Sequence, residues 1–286
     1  SNLIYLLKRR IAFEVVTEFG FKCRIGRSIE RSGAACTFIN KESIQEALSS
    51  LLPELSEQIG PLRALTYDEL QVFVLGFLAH LRINGGIYYS EFDGYIKENG
   101  NPGVFINQVH LPNFSPNGRA PTFLASKNSK GFETLYSSNK ASASWYQNWL
   151  IKCLLSKEGN ELAGEISTGV YQLLIKYLLK ANVLLDFDSN SGESVWGINP
   201  DSLQLSVQVA HLCCDHCQHS HTVAKTELEC WQQAFCLRKN CLGQYRVAQS
   251  GGDAVDFYGR LYRDGDINRV VASEHTGLLN RDERAQ

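Results

Sequence analysis

Four cysteines stand in two close pairs, Cys214-Asp-His-Cys217 and Cys236-Leu-Arg-Lys-Asn-Cys241, with eighteen residues between the pairs. Thiolates presented two at a time from tight turns suit a tetrahedral zinc ion, and the gap leaves room for a β-hairpin to return. The spacing therefore predicts a zinc ribbon in which Cys214, Cys217, Cys236 and Cys241 hold a structural Zn²⁺. Other pairings stay sterically open. Cys213-x3-Cys217 and Cys230-x5-Cys236 are within reach, and His216, His219 and His221 are rival ligands. The compact CxxC favours Cys214, leaving Cys213 on the opposite face of a strand. The three histidines are expected as exposed hairpin residues.

The elements that must carry this site separate along the chain. Residues 3 to 19 read as a helix, since Leu3, Leu6, Leu7, Ile11, Val15 and Val16 recur at helical spacing and Gly20 supplies a stop. Lys8, Arg9, Arg10, Lys22, Arg24, Arg27 and Arg31 give this region a basic side. Two further helical patterns cover 44–55 and 67–81, the second closed by Asn84-Gly85-Gly86. Residues 1–98 thus form a helical region with a basic N-terminal helix.

Glycines and prolines interrupt any period across 99–141, where Arg119, Lys127, Lys130 and Lys140 face only Glu133. This stretch reads as an irregular basic loop rather than a packed element. Arg119, Lys127 and Lys130 are its candidate phosphate contacts. Residues 142–208 resemble a winged helix. A helix holding Trp145, Tyr146 and Trp149 precedes a longer one over 161–179, and strand-like runs at 183–187 and 195–198 flank Asp188-Ser-Asn-Ser-Gly192. The three aromatic residues are expected in the core. The ribbon fills 209–250.

Nine cysteines are an odd number, and Cys23, Cys36 and Cys153 stand singly among apolar or helical surroundings, as buried thiols do. A secreted disulfide framework does not fit. No run approaches the length of a membrane span and no signal-peptide pattern opens the chain, so a soluble, cytoplasmic protein without a membrane partner is expected. The absence of methionine suggests a fragment. The formal charge of −2 does not select a partner.

Residues 251–286 contain an amphipathic stretch at 254–264 and then a β-rich run, a polar turn and a helix opening at Asn280, the pattern of a strand-to-helix junction in an α/β domain. Glu274-His-Thr-Gly-Leu-Leu279 with Arg281, Glu283 and Arg284 resembles a motif early in the second RecA-like lobe of superfamily 2 DEAD/DEAH-type DNA helicases that carry a cysteine cluster. The likeness is to helicases of the Druantia antiphage type and, more distantly, to those of the mitomycin repair type. The stretch from Leu6 to Gly20, Arg24-Ile-Gly-Arg27, Val195-Trp-Gly-Ile-Asn-Pro200 and the second cysteine knuckle through Tyr245 share the resemblance.

The resemblance implies an accessory insertion joined to the edge of a RecA-like lobe within an ATP-dependent helicase of antiphage defence or DNA repair. His275, Thr276, Arg281 and Arg284 would approach one nucleic-acid strand without reading bases. Neither the Gly-x-Gly-Lys-Thr/Ser loop nor the DEAH/DEAD box occurs, so ATP and Mg²⁺ belong to the parent motor and the chain alone should be inactive. The expected fold is α+β, mainly α: a helical region, a winged-helix-like domain, a four-cysteine ribbon and a RecA-like fragment. The expected partner is single-stranded or forked DNA. The other reading is a zinc-containing scaffold for partner subunits of a defence or repair complex.

Overall fold

The computed structural model describes residues 2–20, 28–105, 120–126, 131–136, 143–155 and 163–248. Eight α-helices and nine strands appear among them in mixed order, so the described fold is α+β. Helix α1 (Asn2–Gly20) is followed by α2 (Ser28–Arg31), β1 (Cys36–Ile39), α3 (Lys41–Gln58), α4 (Tyr67–Ile83) and α5 (Asp93–Lys97). Then come β2 (Leu124–Ala125), β3 (Glu133–Thr134), α6 (Trp145–Leu154), α7 (Ala163–Lys180), β4 (Leu184–Asp188), β5 (Ser194–Ile198) and β6 (Leu203–Ser206). The last elements are β7 (Val209–Cys214), β8 (Ser220–Ala224), α8 (Leu228–Trp231) and β9 (Tyr245–Val247).

Local signals set the helix starts. The Asn40 side chain accepts from the amides of Glu42 and Ser43 at the head of α3. Thr66 with Glu69 and Ser144 with Gln147 form reciprocal capping boxes at α4 and α6, each satisfying amides that lack an intrahelical partner. Helix α3 then packs on α7 and α4 on α6. Their apolar stripes meet around Phe73, Phe77, Tyr146, Trp149, Tyr171 and Leu174, all essentially without solvent contact. The Trp149 indole replaces a side chain at Gly76, where a Cβ would stand 2.0 Å from its ring.

The hairpin β4–β5 expected near the end of the winged-helix region is present, and Gly192 takes a positive φ of 76° in its turn. It is not a free-standing wing. Strand β2 pairs with β5 and with β3, giving a four-stranded sheet in the order β3-β2-β5-β4. This corrects the expectation of an unpacked loop over 99–141. Phe105, Phe123, Leu124, Ala125, Phe132 and Leu135 from that segment are all buried. Strands of two residues are too short to show an alternating pattern, which is why composition alone suggested a loop.

The sheet separates two cores by the period-two alternation of strands. Leu124, Leu184 and Ile198 face the helices, whereas Phe123, Ala125 and Val195 face an aromatic cluster with Phe13, Phe92, Tyr95, Phe105 and Phe132. Phe13 brings α1 to this second cluster, stacking edge-on against Phe92 at 5.8 Å between ring centres. Strand β1 meanwhile pairs antiparallel with β6, Cys36 opposite Ser206. The main core gathers buried residues between Ile39 and Tyr245, so the long helices, the β4–β5 hairpin and the β8-β7-β9 sheet share one interior.

A buried ion pair joins the N-terminal helices to that interior. The Arg82 guanidinium donates to both Glu30 carboxylate oxygens, at 2.8 and 2.7 Å, and to the Phe19 carbonyl at 2.7 Å. It thereby ties the end of α1, α2 and the last turn of α4. The pair is dry, and removing one partner leaves the other charged group uncompensated. Arg82→Met is expected to lower the unfolding free energy by about 3 kcal/mol or more. Urea denaturation followed by circular dichroism measures this, and a loss below about 1 kcal/mol would show that the pair contributes only surface-like strength.

Candidate metal centre

Strand β7 delivers Cys214 at its end, and the chain then turns so that the Gln218 amide donates to the Cys214 carbonyl at 3.1 Å. Gln218 adopts φ 57°, and the Cys214 amide donates to the His219 carbonyl as β8 begins. The second knuckle forms between α8 and β9. The Cys236 amide donates to the Gly243 carbonyl at 2.9 Å, the Cys241 amide to the Arg238 carbonyl at 3.2 Å, and the Arg238 amide points at the Cys236 sulfur at 3.4 Å. The three-stranded sheet β8-β7-β9 holds the two knuckles face to face.

The four sulfurs of Cys214, Cys217, Cys236 and Cys241 lie within 4.8 Å of one another. Cys214 and Cys241 approach to 3.6 Å, as do Cys217 and Cys236. Zinc–sulfur bonds of about 2.3 Å in a tetrahedron set sulfurs about 3.8 Å apart, so the cluster has the dimensions of a four-thiolate site. Glycine is required at 243, where a Cβ would sit 2.7 Å from the Cys214 sulfur. The four cysteines that the spacing singled out are those the fold brings together. Cys213 points instead towards the Gln218 side-chain oxygen at 3.1 Å, and Cys230 lies half-buried on α8 outside the cluster.

Protons are unevenly held here. Burial pushes the Cys236 thiol up to about 12, whereas Cys217, despite its own desolvation, is drawn down to about 7 by the His219 amide and the neighbouring sulfurs. A bound cation would hold the four groups as thiolates. Cys36 and Cys153 have no such partners, and burial raises both thiols, Cys36 to about 12.

Of the three histidines, His216 alone is exposed. The expectation of three exposed histidines is corrected for the other two. His219 meets the Tyr245 hydroxyl through Nδ1 at 2.7 Å, and His221 is buried edge-on against Trp231 with ring centres 4.5 Å apart. Strand alternation turns both rings inward onto Tyr245, the buried aromatic anchor of β9.

Spacing did not reveal Lys152, the group that joins this centre to the helices. Its ammonium donates to the carbonyls of Cys236 at 2.8 Å, Arg238 at 3.0 Å and Cys241 at 3.0 Å. Three donors meet three carbonyls of one knuckle, which leaves no ammonium proton unsatisfied. Burial lowers the Lys152 pKa, and the sulfurs of Cys153, Cys236, Cys241 and Cys214 oppose that shift by favouring the cation. Trp145, one helical face with Trp149 and Lys152, donates its indole N–H to the Leu237 carbonyl at 2.7 Å. A lysine on an otherwise aromatic face of α6 was the available signal.

Trp145 also stacks on His80 of α4, with ring centres 3.6 Å apart and planes 4° from parallel. His80 Nε2 lies 2.7 Å from a Glu133 carboxylate oxygen. Contacts thus run from the knuckle through α6 and α4 to β3.

The predicted nucleic-acid contacts Arg119, Lys127, Lys130, His275, Thr276, Arg281 and Arg284 lie outside the described residues, as does the RecA-like segment 251–286. Comparison with known protein families, with curated proteins and with solved structures gives no match.

Lys152→Met keeps the aliphatic stem and removes the three donors. It is expected to weaken metal retention about 10- to 100-fold, the range for groups that orient ligands from behind. Competition with a chromogenic chelator measures this; unchanged retention would reduce Lys152 to a packing role.

Proposed function

We propose that Cys214, Cys217, Cys236 and Cys241 bind one structural Zn²⁺, and that the chain is a non-catalytic, DNA-contacting accessory region of an ATP-dependent superfamily 2 helicase of defence or repair. The sulfur geometry carries the metal reading. Four thiolates that close the coordination sphere leave no open position for substrate, which fits a structural ion rather than a catalytic one. The zinc supplies folding free energy to a ribbon whose own apolar core is small.

The motif resemblance at both ends of the chain supports the helicase reading. The knuckle adds support for strand contact, because Arg238, Lys239 and Asn240 are exposed on it while Lys152 and Trp145 hold it from behind. Basic side chains on a rigid turn neutralise backbone phosphates without reading bases. Arg119, Lys127 and Lys130 would extend this contact, and His275, Thr276, Arg281 and Arg284 would add the strand contact of the lobe. The partner is single-stranded or forked DNA, and ATP with Mg²⁺ acts only in the parent motor. The scaffold reading has its own support in an exposed apolar stripe on α1.

Elemental analysis of purified chain is expected to find one zinc per chain, lost from Cys214→Ser/Cys241→Ser together with ribbon structure. Binding to single-stranded and forked DNA is expected to fall steeply with salt, and to weaken further when Arg119, Lys127, Lys130, Arg238 and Lys239 become alanine. Zinc with no DNA binding at low salt would leave the scaffold reading; absence of zinc would remove the ribbon.

A further inference from the structure

Four elements of the main core enclose a small cavity. Strand β1, helix α4, strand β8 and helix α8 meet around about 30 Å³ of space, walled by Leu78 and Val223 on apolar sides and by Thr37, Arg82, Glu227 and Trp231 on polar ones. A water molecule requires roughly 10–15 Å³ of such space, so the cavity has room for one or two. It is far too small for an organic ligand.

Two of these residues carry buried polar atoms that no protein group satisfies. Thr37 Oγ1 and Trp231 Nε1 are shielded from solvent and have no hydrogen-bond partner among the described residues. Trp231 as a whole is only 3% exposed. Glu227 stands four residues earlier, one helical turn away, and the indole favours ionisation of its carboxyl group without a direct hydrogen bond between them. Buried polar groups in native folds pair with protein or with ordered water.

Donor and acceptor types select the guest. An indole N–H only donates, a carboxylate only accepts, and a hydroxyl does both. A guest that meets all three must accept and donate at once. A metal cation would face the indole N–H and the Arg82 guanidinium, and an anion would face Glu227. Water suits the set.

The charged neighbours leave this role to the guest. Arg82 spends its hydrogen bonds on Glu30 and the Phe19 carbonyl, and attracts Glu227 only through space. Burial raises the Glu227 carboxyl to about 7, against the opposing pull of Trp231 and Arg82. Water serves either form of the group, donating to the carboxylate or accepting from the acid. His221 also lines the cavity, its ring edge-on to the Trp231 indole.

We propose that this cavity binds ordered water that links Trp231 Nε1, the Glu227 carboxyl group and Thr37 Oγ1. The bridge joins strand β1 to helix α8, the element that leads into the second cysteine knuckle. It is a polar tie between an N-terminal strand and the ribbon, and it rests on neither metal nor DNA binding.

Two measurements on the full chain test it. In a high-resolution crystal structure, water is expected within about 2.7–3.2 Å of Trp231 Nε1 and of a Glu227 oxygen. In solution, the Trp231 indole proton, assigned by its loss in Trp231→Phe, is expected to show a dipolar cross-peak to water, which its rotating-frame sign separates from chemical exchange. Ala79 lines the cavity, and Ala79→Val adds two methyl groups there, so the cross-peak is expected to disappear in that variant. A dry cavity in the crystal, with Trp231 Nε1 bonded directly to Glu227, overturns the proposal. So does absence of the cross-peak from the parent chain, or its survival in folded Ala79→Val. Should that variant fail to fold, the crystal structure and the parent cross-peak decide.

Discussion

The contact on which the C-terminal half depends is that between a lysine ammonium and three carbonyls of a cysteine knuckle. A turn that offers two thiolates to a cation must aim its amides at the sulfurs, and its carbonyls then point backwards. Those carbonyls are buried and need donors. Lys152 supplies three from one atom, and Trp145 supplies a fourth to Leu237 from the same face of α6. The ammonium behind the knuckle would also balance the negative charge that four thiolates bring to a low-dielectric setting. Helix α6 therefore serves the metal centre and the main core at once.

This arrangement changes the meaning of the ribbon. Its strands are short, and β9 contributes only three residues, so the sheet has little stability to give. The knuckle is nevertheless held to one packed interior shared with four longer helices. Groups at its exposed rim inherit the rigidity of that interior, a condition for presenting charge at fixed positions.

What could be read from sequence was local. Cysteine spacing located the sulfur cluster, and apolar periodicity located α1, α3, α4 and α7 to within a few residues. Long-range pairing was hidden. Nothing in Cys36–Ile39 announces Leu203–Ser206 as its partner, and nothing near Glu30 names Arg82. Lys152 was not singled out by spacing because the carbonyls it serves lie more than eighty residues later. The two-residue strands at Leu124 and Glu133 are below the length at which alternation can be seen. His219 and His221 looked like hairpin surface until Tyr245 and Trp231 were placed beneath them.

The pairing of β1 with β6 has a kinetic consequence. Cys36–Ile39 waits for Leu203–Ser206, so closing this two-stranded sheet brings together residues about 170 positions apart, which is slow relative to forming any single helix. During synthesis α3 and α4 can collapse early, but the Ile39 edge of their core stays open until the region just before the first knuckle has emerged. Two residues separate the end of β6 from the start of β7. The long-range closure and the start of the cysteine cluster therefore fall within the same short interval of translation, which makes the three-stranded sheet the step that completes the described fold.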